Sequence, residues 1–264
     1  MIEYLVFQLY GPLAAWGEIA VGEERPVANR PGRSALLGLL AAALGIERVD
    51  EQAHKKLADG YGLAVCVDNP GLPILDFHTV QSPPRVALKN LPHATRRDEI
   101  FALENYNRKN SKSVGTLVSR RSYRQDGFWR VAVWETQNAP FSLNKLRHAL
   151  CFPAFCLYLG RKACPPAIPL APRIVKAENP AEAIDKADHI NEADYVTDGA
   201  LKRKVLSGKT VPQMLYWDAE IPGAGNISPQ ETLTRHDAPL SRERRQFGVR
   251  YEHRAPWPES KEEN

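Results

Sequence analysis

The residues with the clearest chemical character in this sequence are basic, and they are concentrated in one window from Arg85 to Arg130. That window holds eleven of the 35 Lys and Arg residues against four carboxylates, a net charge of +7, whereas the whole chain carries only +4. Cations that neutralise phosphates release condensed counterions, and flat rings stack on unpaired bases. Four aromatic residues are interleaved with these cations: Tyr106, Tyr123, Phe128 and Trp129. We therefore predict an RNA-binding arm on an otherwise near-neutral protein.

Two short segments outside this pattern also combine cations with backbone features that suit a phosphate. Arg33 and Ser34 precede an apolar run, and a helix N-terminus beside a guanidinium favours an anion. The alternative is that Ser34 only caps the helix and Arg33 is solvated. Gly160, Arg161 and Lys162 form a cationic turn whose glycine allows the backbone to approach a ligand closely, although an ordinary surface turn has the same composition.

Trp16, in the segment AWG, is suited either to stacking on a base or to packing its loop onto a sheet. Arg120, Arg121 and Arg124 lie in TLVSRRSYRQDGFWRVAVWE, where Asp-Gly between two alternating runs predicts a β-hairpin. Alternation places Arg120 and Arg124 on one face of that hairpin and Arg121 on the other. These arginines could hold RNA or acidic neighbouring subunits, and the sequence does not separate the two.

His78, within ILDFHTV, is the residue on which a catalytic hypothesis depends. Metal-independent RNA cleavage needs a base near the 2′-hydroxyl and an acid near the leaving oxygen, and histidine can serve either role. No Tyr–Lys partner can be identified for His78, and a lone histidine carries no catalytic geometry. We therefore expect a structural or RNA-contacting histidine and no catalytic residue.

The four cysteines contain no Cys-x-x-Cys pair, which is typical of a cytoplasmic chain with reduced thiols. Cys151, Cys156 and Cys164 with His148 could be imagined as a zinc site, but the spacing is not that of a finger or ribbon. We expect buried thiols that behave as small apolar groups, with no metal and no other cofactor. The longest apolar run, residues 35–46, is too short to span a bilayer, and the N-terminus lacks a signal peptide's cationic region, so no membrane partner is expected.

The elements that must position these residues follow the order strand, helix, strand, strand, helix, strand. Strands are predicted at residues 3–10, 62–68, 74–80 and 155–159, with a half-buried first strand, and helices at 35–47, 50–59 and 142–150. Residues 81–114 lack periodicity and are expected to form a loop. Beyond residue 165 we predict a helix at 181–190, a strand at 211–217 and a second basic stretch at 242–254. The order is that of a βαββαβ unit with a basic insertion.

Several segments together resemble the CasD family. They are GPLAAWGEIAVGEERPVANRPGRSALLGLLAAALGIER, DFHTV and YLGRKACPPAIPL, with the resemblance strongest over residues 1–80 and 116–172. CasD proteins are RAMP-superfamily subunits that hold the crRNA 5′ end in type I-E Cascade, the CRISPR antiviral surveillance complex. The resemblance implies an α+β fold: a ferredoxin-like or RRM-like RAMP domain over residues 1–172, with a basic β-hairpin thumb inserted at about 81–130. A smaller, irregular, β-rich C-terminal region follows over 173–264.

The resemblance implies a non-catalytic, cytoplasmic subunit that binds and caps the crRNA 5′ handle. Its implied partners are the crRNA, the CasC-type backbone subunit, the CasA-type large subunit, other Cascade subunits indirectly, and target DNA through the complex. The residues expected to contact RNA are Trp16, Arg25, Arg33, Ser34, His78, Arg120, Arg121, Arg124, Gly160, Arg161 and Lys162. Relatives in type I-C systems cleave repeat RNA, so the alternative is a metal-independent endoribonuclease. A third hypothesis is a scaffold that contacts proteins only.

Overall fold

A computed structural model of the chain describes residues 1–81, 83–89, 95–110, 116–187, 214–241, 244 and 246–257. These residues form two compact units. The main unit comprises Met1–Glu18, Val27–Ile74 and Tyr123–Asn264, and the arm unit comprises Ile19–Pro26 and Leu75–Ser122. None of the described helices has the length and apolar character needed to cross a membrane.

Nine strands and six helices are formed by the described residues. The strands are β1 (Ile2–Ala14), β2 (Glu24–Arg25), β3 (Tyr61–Asn69), β4 (Leu72–Gln81), β5 (Thr116–Glu135), β6 (Arg173–Ala177), β7 (Met214–Asp218), β8 (Glu231–Ser241) and β9 (Gln246–Pro256). The helices are α1 (Arg33–Leu44), α2 (Glu51–Gly60), α3 (Arg85–Leu88), α4 (Arg96–Asn110), α5 (Leu143–Cys151) and α6 (Pro180–Lys186). The predicted helices at 35–47, 50–59 and 142–150 are confirmed as α1, α2 and α5.

The main unit is built on an antiparallel sheet in the order β6-β1-β5-β3-β7-β9-β8. Strand β1 is buried on both faces rather than on one, because helices cover the sheet on each side. Leu5 and Phe7 pack in the cluster that contains α1 and α5, whereas Tyr4 and Val6 pack in the cluster that contains α6. The half-buried first strand predicted from the sequence is therefore wrong.

Strand β5 runs without a turn through the Asp-Gly pair, so the predicted hairpin at Gln125–Gly127 is wrong. Strand β1 pairs with β5 before and after Asp126: Leu13 lies opposite Gln125, and Gly11 lies opposite Gly127. Asp126 accommodates the path with a left-handed φ of 55°, a conformation that Asp tolerates better than most residues. The side-chain amide of Asn69, the last residue of β3, donates to the Asp126 carbonyl oxygen at 3.1 Å.

The arm unit contains helices where residues 81–114 were predicted to form a loop. Helix α4 is preceded by Thr95, whose Oγ1 lies 2.8 Å from a carboxylate oxygen of Asp98 and accepts from the Asp98 amide at 3.3 Å. This reciprocal capping, together with an i,i+4 ion pair between Glu104 and Arg108, favours a helix in a sequence that has little apolar periodicity. The arm also contains β2, most of β4 and the first part of β5, and both β2 and β4 pair with β5.

The segment 155–159 is not a strand, so that prediction is wrong, and the strand that pairs with β1 beside β5 is β6. Residues 155–159 instead form an irregular loop whose backbone bonds to α1 and to residues 15 and 164. Strand β7 and helix α6 confirm the described parts of two C-terminal predictions, while residues 188–190 and 211–213 lie outside the described residues. The second basic stretch falls largely on β9, with residues 242, 243 and 245 outside the described residues.

Candidate nucleic-acid interface

A cleft of about 600 Å³ lies in the main unit between α1 and the loop 155–162, and its lining includes the cations Arg48 and Lys162. We call it the α1 cleft. Its lining includes three residues predicted as RNA contacts from the sequence, Ser34, Gly160 and Lys162. The start of α1 and the Gly160 turn are therefore neighbours in the fold, although more than 120 residues separate them in the chain.

The α1 cleft also contains groups that the sequence analysis did not identify. Arg48 lies at its rim beyond the end of α1, and His54 of α2 lies deeper. The rings of Phe155 and Tyr158 line the cleft and are 46% and 38% exposed. Cations beside accessible rings can bind phosphates and stack on splayed bases. The aromatic residues within 152–158 were the available clue, and the prediction of a strand at 155–159 left them out of the site.

The loop that carries these rings is held by main-chain hydrogen bonds. The Phe155 amide donates to the Ala42 carbonyl at 3.1 Å, which anchors the loop on α1. Gly160 has a φ of 88°, and a Cβ atom at this position would overlap the carbonyl oxygen of Ala15. Gly160 is therefore required by the close approach of the protein's own backbone, rather than by a ligand.

Arg161 and Lys162, which follow Gly160, differ in their surroundings. The Arg161 guanidinium lies 4.7 Å from the centroid of the Tyr123 ring, a cation–π arrangement that orients the charged group. Lys162 is exposed at the cleft. In this turn, the Arg161 side chain is therefore held by the Tyr123 ring, whereas the Lys162 side chain is exposed.

Arg33 does not face a phosphate site, contrary to the prediction, because its guanidinium is buried within the main unit. It forms an ion pair with Asp218 and donates to the carbonyl oxygens of Ala58 and Tyr61 at 2.6 and 2.8 Å. Burial lowers the pKa of Arg33 and raises the pKa of Asp218, and the attraction between the two charges opposes both shifts. Arg33 is a structural residue in this protein.

Ser34 is not the N-cap of α1, since that position is occupied by Gly32 and no side chain caps the helix there. Ser34 instead lies in the first turn, half-buried at the cleft.

Trp16 packs its loop onto the sheet, and the alternative of base stacking is not available to it in this structure. Its ring is 2% exposed and meets the Trp129 ring edge-on, with 5.3 Å between centroids. Phe128 and Trp129 are also buried, and Arg130 forms a buried ion pair with Asp68 at 2.7 Å. The end of the basic window therefore belongs to the core, contrary to the prediction that its charges all serve an exposed arm.

The arm unit brings together Arg25, Arg120 and Arg121, because the short strand β2 pairs in parallel with β5 and sets Arg25 opposite Arg121. Arg25 donates to the carbonyl oxygens of Gly22 and Glu24 at 2.7 and 2.8 Å, while Arg120 lies 3.7 Å from the Glu24 carboxylate. Arg25 and Arg120 are exposed. We call this group the arm cations.

Two further predicted contacts lie apart from these clusters. Arg124 belongs to the main unit, where its Nε donates to the Ala28 carbonyl at 3.2 Å. His78 lies on β4 in the arm, exposed, with its Nδ1 2.8 Å from an Asp76 carboxylate oxygen.

The arm unit exposes large apolar side chains as well as cations. Each of the following is at least 39% exposed: Ile19, Val21, Leu75, Phe77, Val80, Val86, Ile100, Phe101 and Leu117. Apolar exposure on this scale in a small unit is typical of a surface that another macromolecule covers.

The four cysteines are free, and only two of them are buried as predicted. Cys66 and Cys164 lie in the interior, whereas Cys151 and Cys156 are exposed. Burial raises the pKa of the Cys66 thiol well above its usual range, which disfavours its thiolate. Across the described ranges, no group of three His, Cys, Asp or Glu side chains is arranged to hold a metal ion.

Comparisons with known proteins agree with the resemblance noted in the sequence. The family described as CRISPR-associated protein (Cas_Cas5) matches residues 4–252. CRISPR system Cascade subunit CasD of Escherichia coli (strain K12) is 32% identical over 192 residues, which cover 70% of this chain and 76% of CasD.

Two solved structures are also similar. A chain of the structure described as "CRISPR RNA-guided surveillance complex" matches with a TM-score of 0.60 and 26% identity, over 96% of this chain and 90% of that chain. A structure described as "Crystal structure of Cas protein" matches with a TM-score of 0.55 and 22% identity, over 97% and 95% of the two chains, and shows the fold alone. The family match spans nearly the whole sequence, and the chain therefore belongs to the Cas5 family of CRISPR-associated proteins, to which CasD is related.

Proposed function

We propose that this chain is a non-catalytic subunit of a type I-E CRISPR surveillance complex that binds and caps the crRNA 5′ handle. The observation that carries the proposal is the 32% identity with a Cascade subunit, over 70% of the chain. The similarity to a chain of an RNA-guided surveillance complex, over 96% of this chain, supports it.

The α1 cleft is the proposed site of the RNA. Arg48 and Lys162 supply exposed cations for phosphates, Ser34 supplies a hydroxyl, and Phe155 and Tyr158 supply rings for unstacked bases. Phosphate contacts give affinity and register, whereas stacking and base-edge contacts select single-stranded RNA. Gly160 and Arg161 support this site through the turn that carries Lys162.

The arm unit is proposed to clasp the assembly. The arm cations remain proposed contacts to RNA. Arg124 and His78 are also retained as proposed RNA contacts. The exposed apolar side chains of the arm support a protein contact as well, for which the CasC-type backbone subunit and the CasA-type large subunit are the proposed partners. Target DNA would then be reached only through the complex, and a cytoplasmic location is part of the same proposal.

The finer fold assignment is also a proposal. The order β6-β1-β5-β3, with α1 after β1 and α5 after β5, supports a ferredoxin-like RAMP arrangement with all neighbours antiparallel. We retain the division into residues 1–172 and 173–264, but we propose that the thumb is the arm unit, because residues 123–130 of the predicted thumb belong to the main unit. Strand β6 begins at Arg173, immediately beyond that boundary.

The alternative of a repeat-processing endoribonuclease is not favoured. His78 is exposed, and the described hydrogen-bond partner of its ring is the Asp76 carboxylate on the same strand. A carboxylate and a histidine on one exposed strand provide no site that would hold a 2′-hydroxyl between a base and an acid.

The proposed function is tested by co-purification of the tagged full-length chain from cells that carry the CRISPR locus and a repeat-spacer array. We expect short RNAs that share a repeat-derived 5′ end, together with the other Cascade proteins. A chain lacking the tag is the control. Recovery of no RNA, or equal recovery of RNAs without the repeat-derived end, would contradict the proposal. Metal-independent cutting of repeat RNA by the purified chain, abolished in His78→Ala, would support the endoribonuclease instead.

A further inference from the structure

Six charged side chains, three basic and three acidic, form a network in the main unit, and five of them are buried while Asp237 is partly exposed. They are Arg30, Arg33, Asp218, Asp237, Arg250 and Glu252. Arg250 is central: it lies 2.6 Å from Asp237, 3.0 Å from Glu252 and 3.4 Å from Asp218. Arg30 pairs with Glu252 and also lies over the Tyr216 ring, 3.6 Å from its centroid.

The network joins the C-terminal strands to the start of α1. Four of its six members come from β7, β8 and β9, while Arg33 is the first residue of α1. The main-chain amide of Leu63 in β3 also donates to Asp218 at 2.9 Å. At Gly32, the N-cap, an added Cβ atom would lie 2.5 Å from a carboxylate oxygen of Asp237, so β8 packs directly against the helix start.

Helix α1 has no local means of fixing its N-terminus. Its N-cap makes no side-chain hydrogen bond, and its first turn contains no acidic residue. Most helices use one of these devices to satisfy or complement their first amides. Arg33 donates and cannot accept from those amides, but its ion pair with Asp218 and its hydrogen bonds to the carbonyl oxygens of Ala58 and Tyr61 hold the first turn in place.

The first turns of α1 form one wall of the α1 cleft. Ser34, Ala35 and Gly38 line it from the helix, opposite Gly160 and Lys162. A displacement of the helix start would change the distance between Ser34 and Lys162. The RNA groups that these two side chains are proposed to contact would then no longer match that distance.

We propose that Arg33 and Asp218 are positioning residues for the RNA in the α1 cleft. Through this ion pair, the C-terminal strands fix the position of the start of α1. This inference rests on the proposed function, since it assumes that RNA occupies the cleft. Buried ion pairs contribute little net stability compared with apolar replacements, and fixing one arrangement among several is their best-supported role. The C-terminal strands therefore act on binding without touching the ligand.

The test uses the full-length chain and a fluorescein-labelled single-stranded RNA that carries the repeat-derived 5′ end. Asp218→Asn preserves shape and removes the charge that holds Arg33. The double variant Arg33→Met with Asp218→Leu removes both charges and restores an apolar match. Glu231→Gln, which breaks an exposed ion pair of β8 and β9 with Arg254, is the matched control. Affinity is measured at a temperature where circular dichroism shows each variant to be folded.

We expect about tenfold weaker binding for Asp218→Asn and for the double variant alike, although the double variant regains thermal stability, and no change for Glu231→Gln. Wild-type affinity in folded Asp218→Asn, or recovery of affinity together with stability in the double variant, would overturn the inference. Lys162→Ala separates this failure from that of the proposed site. If Lys162→Ala weakens binding while Asp218→Asn does not, only the inference fails; if Lys162→Ala binds like wild type, the proposed RNA site fails and the inference falls with it.

Discussion

The α1 cleft of the main unit and the arm unit both present cations, yet they are built in opposite ways. Among the described residues that line the cleft, two cations are exposed: Arg48, between α1 and α2, and Lys162, in the turn after Gly160. The wall that carries Lys162 is held by main-chain hydrogen bonds to α1 and to the core. The arm has many cations, but its strand β4 is exposed along nearly its whole length, and its apolar side chains remain uncovered within the unit.

The difference shows that charge density along the sequence does not locate the best-organised site. Affinity for a particular RNA conformation depends on groups that are held in place before binding, because ordering a mobile group costs conformational entropy at the moment of binding. The cleft meets this requirement with few charges. The arm, rich in charge and in exposed apolar surface, is better suited to a contact that is completed by a partner.

Removing the cations of each region should give the largest difference between the cleft and the arm, measured as the loss of RNA affinity. We expect Arg48→Ala with Lys162→Ala to weaken RNA binding by about a hundredfold, because two charge-assisted phosphate contacts are lost. The slope of log affinity against log salt should fall by about 1.4, the value for two phosphates on a single strand. The matched double variant Arg120→Ala with Arg121→Ala should change binding by the isolated chain by less than about threefold, because we propose that the arm completes its RNA contact only when a partner subunit covers it. Equal losses in the two double variants, measured by fluorescence anisotropy across a salt series, would erase the distinction between cleft and arm.

A backbone substitution tests how firmly the cleft is supported. Gly160→Ala should destabilise the main unit by about 1–3 kcal/mol, because the left-handed φ of 88° is unfavourable for Ala and its Cβ atom would overlap the Ala15 carbonyl. Gly17→Ala is the matched control, since an added Cβ atom there meets nothing within 4 Å. Urea unfolding gives both free energies, and a Gly160 variant as stable as the Gly17 variant would contradict the close approach seen at the turn.

Removing the side-chain cap of α4 in the arm should have a smaller effect on stability. Thr95→Ala should destabilise α4 by about 1 kcal/mol, because it removes the hydroxyl that accepts from the Asp98 amide. Hydrogen exchange should accelerate in α4 and remain unchanged in α1. If the protection of α1 falls to the same degree, the two regions do not unfold independently.

The smallest effect is expected at His78. His78→Ala should change the free energy of unfolding by less than about 0.5 kcal/mol, since the side chain is exposed and pairs only with a neighbour on its own strand among the described residues. Repeat RNA incubated with either protein in a chelator should remain intact by gel analysis. A cleavage product that is lost in the variant would restore the catalytic hypothesis.

Local patterns in the sequence were sufficient for some elements and failed where the deciding partner is distant. The apolar run of α1 and the cap at Ser142 identify their helices without tertiary information. The Asp-Gly pair in β5 carries a hairpin pattern, but β1 pairs across it at Gly127, and that pairing is not visible locally. Helix α4 was missed because its apolar periodicity is weak, and the capping residues Thr95 and Asp98, which favour the helix, were not considered.

The same contrast holds for the site. Ser34, Gly160 and Lys162, which line the α1 cleft, were predicted as contacts because cations beside a helix start or a glycine turn form a local pattern. Arg33 was misassigned because its partner, Asp218, lies 185 residues away, and no local pattern distinguishes a buried guanidinium from an exposed one. The rings of Phe155 and Tyr158 were missed because a run of apolar residues is typical of a buried strand, whereas here the backbone bonds of the loop leave them at the surface.

Photo-crosslinking tests RNA binding at the α1 cleft most directly. A single-stranded RNA with the repeat-derived 5′ end, substituted with 4-thiouridine, is bound to the wild-type chain, irradiated, digested and analysed by mass spectrometry. Binding at the cleft predicts crosslinks to Phe155, Tyr158 or the peptide that carries Lys162, and their loss in the Arg48 and Lys162 double variant. Crosslinks confined to residues 75–122 of the arm, unchanged in that variant, would contradict it.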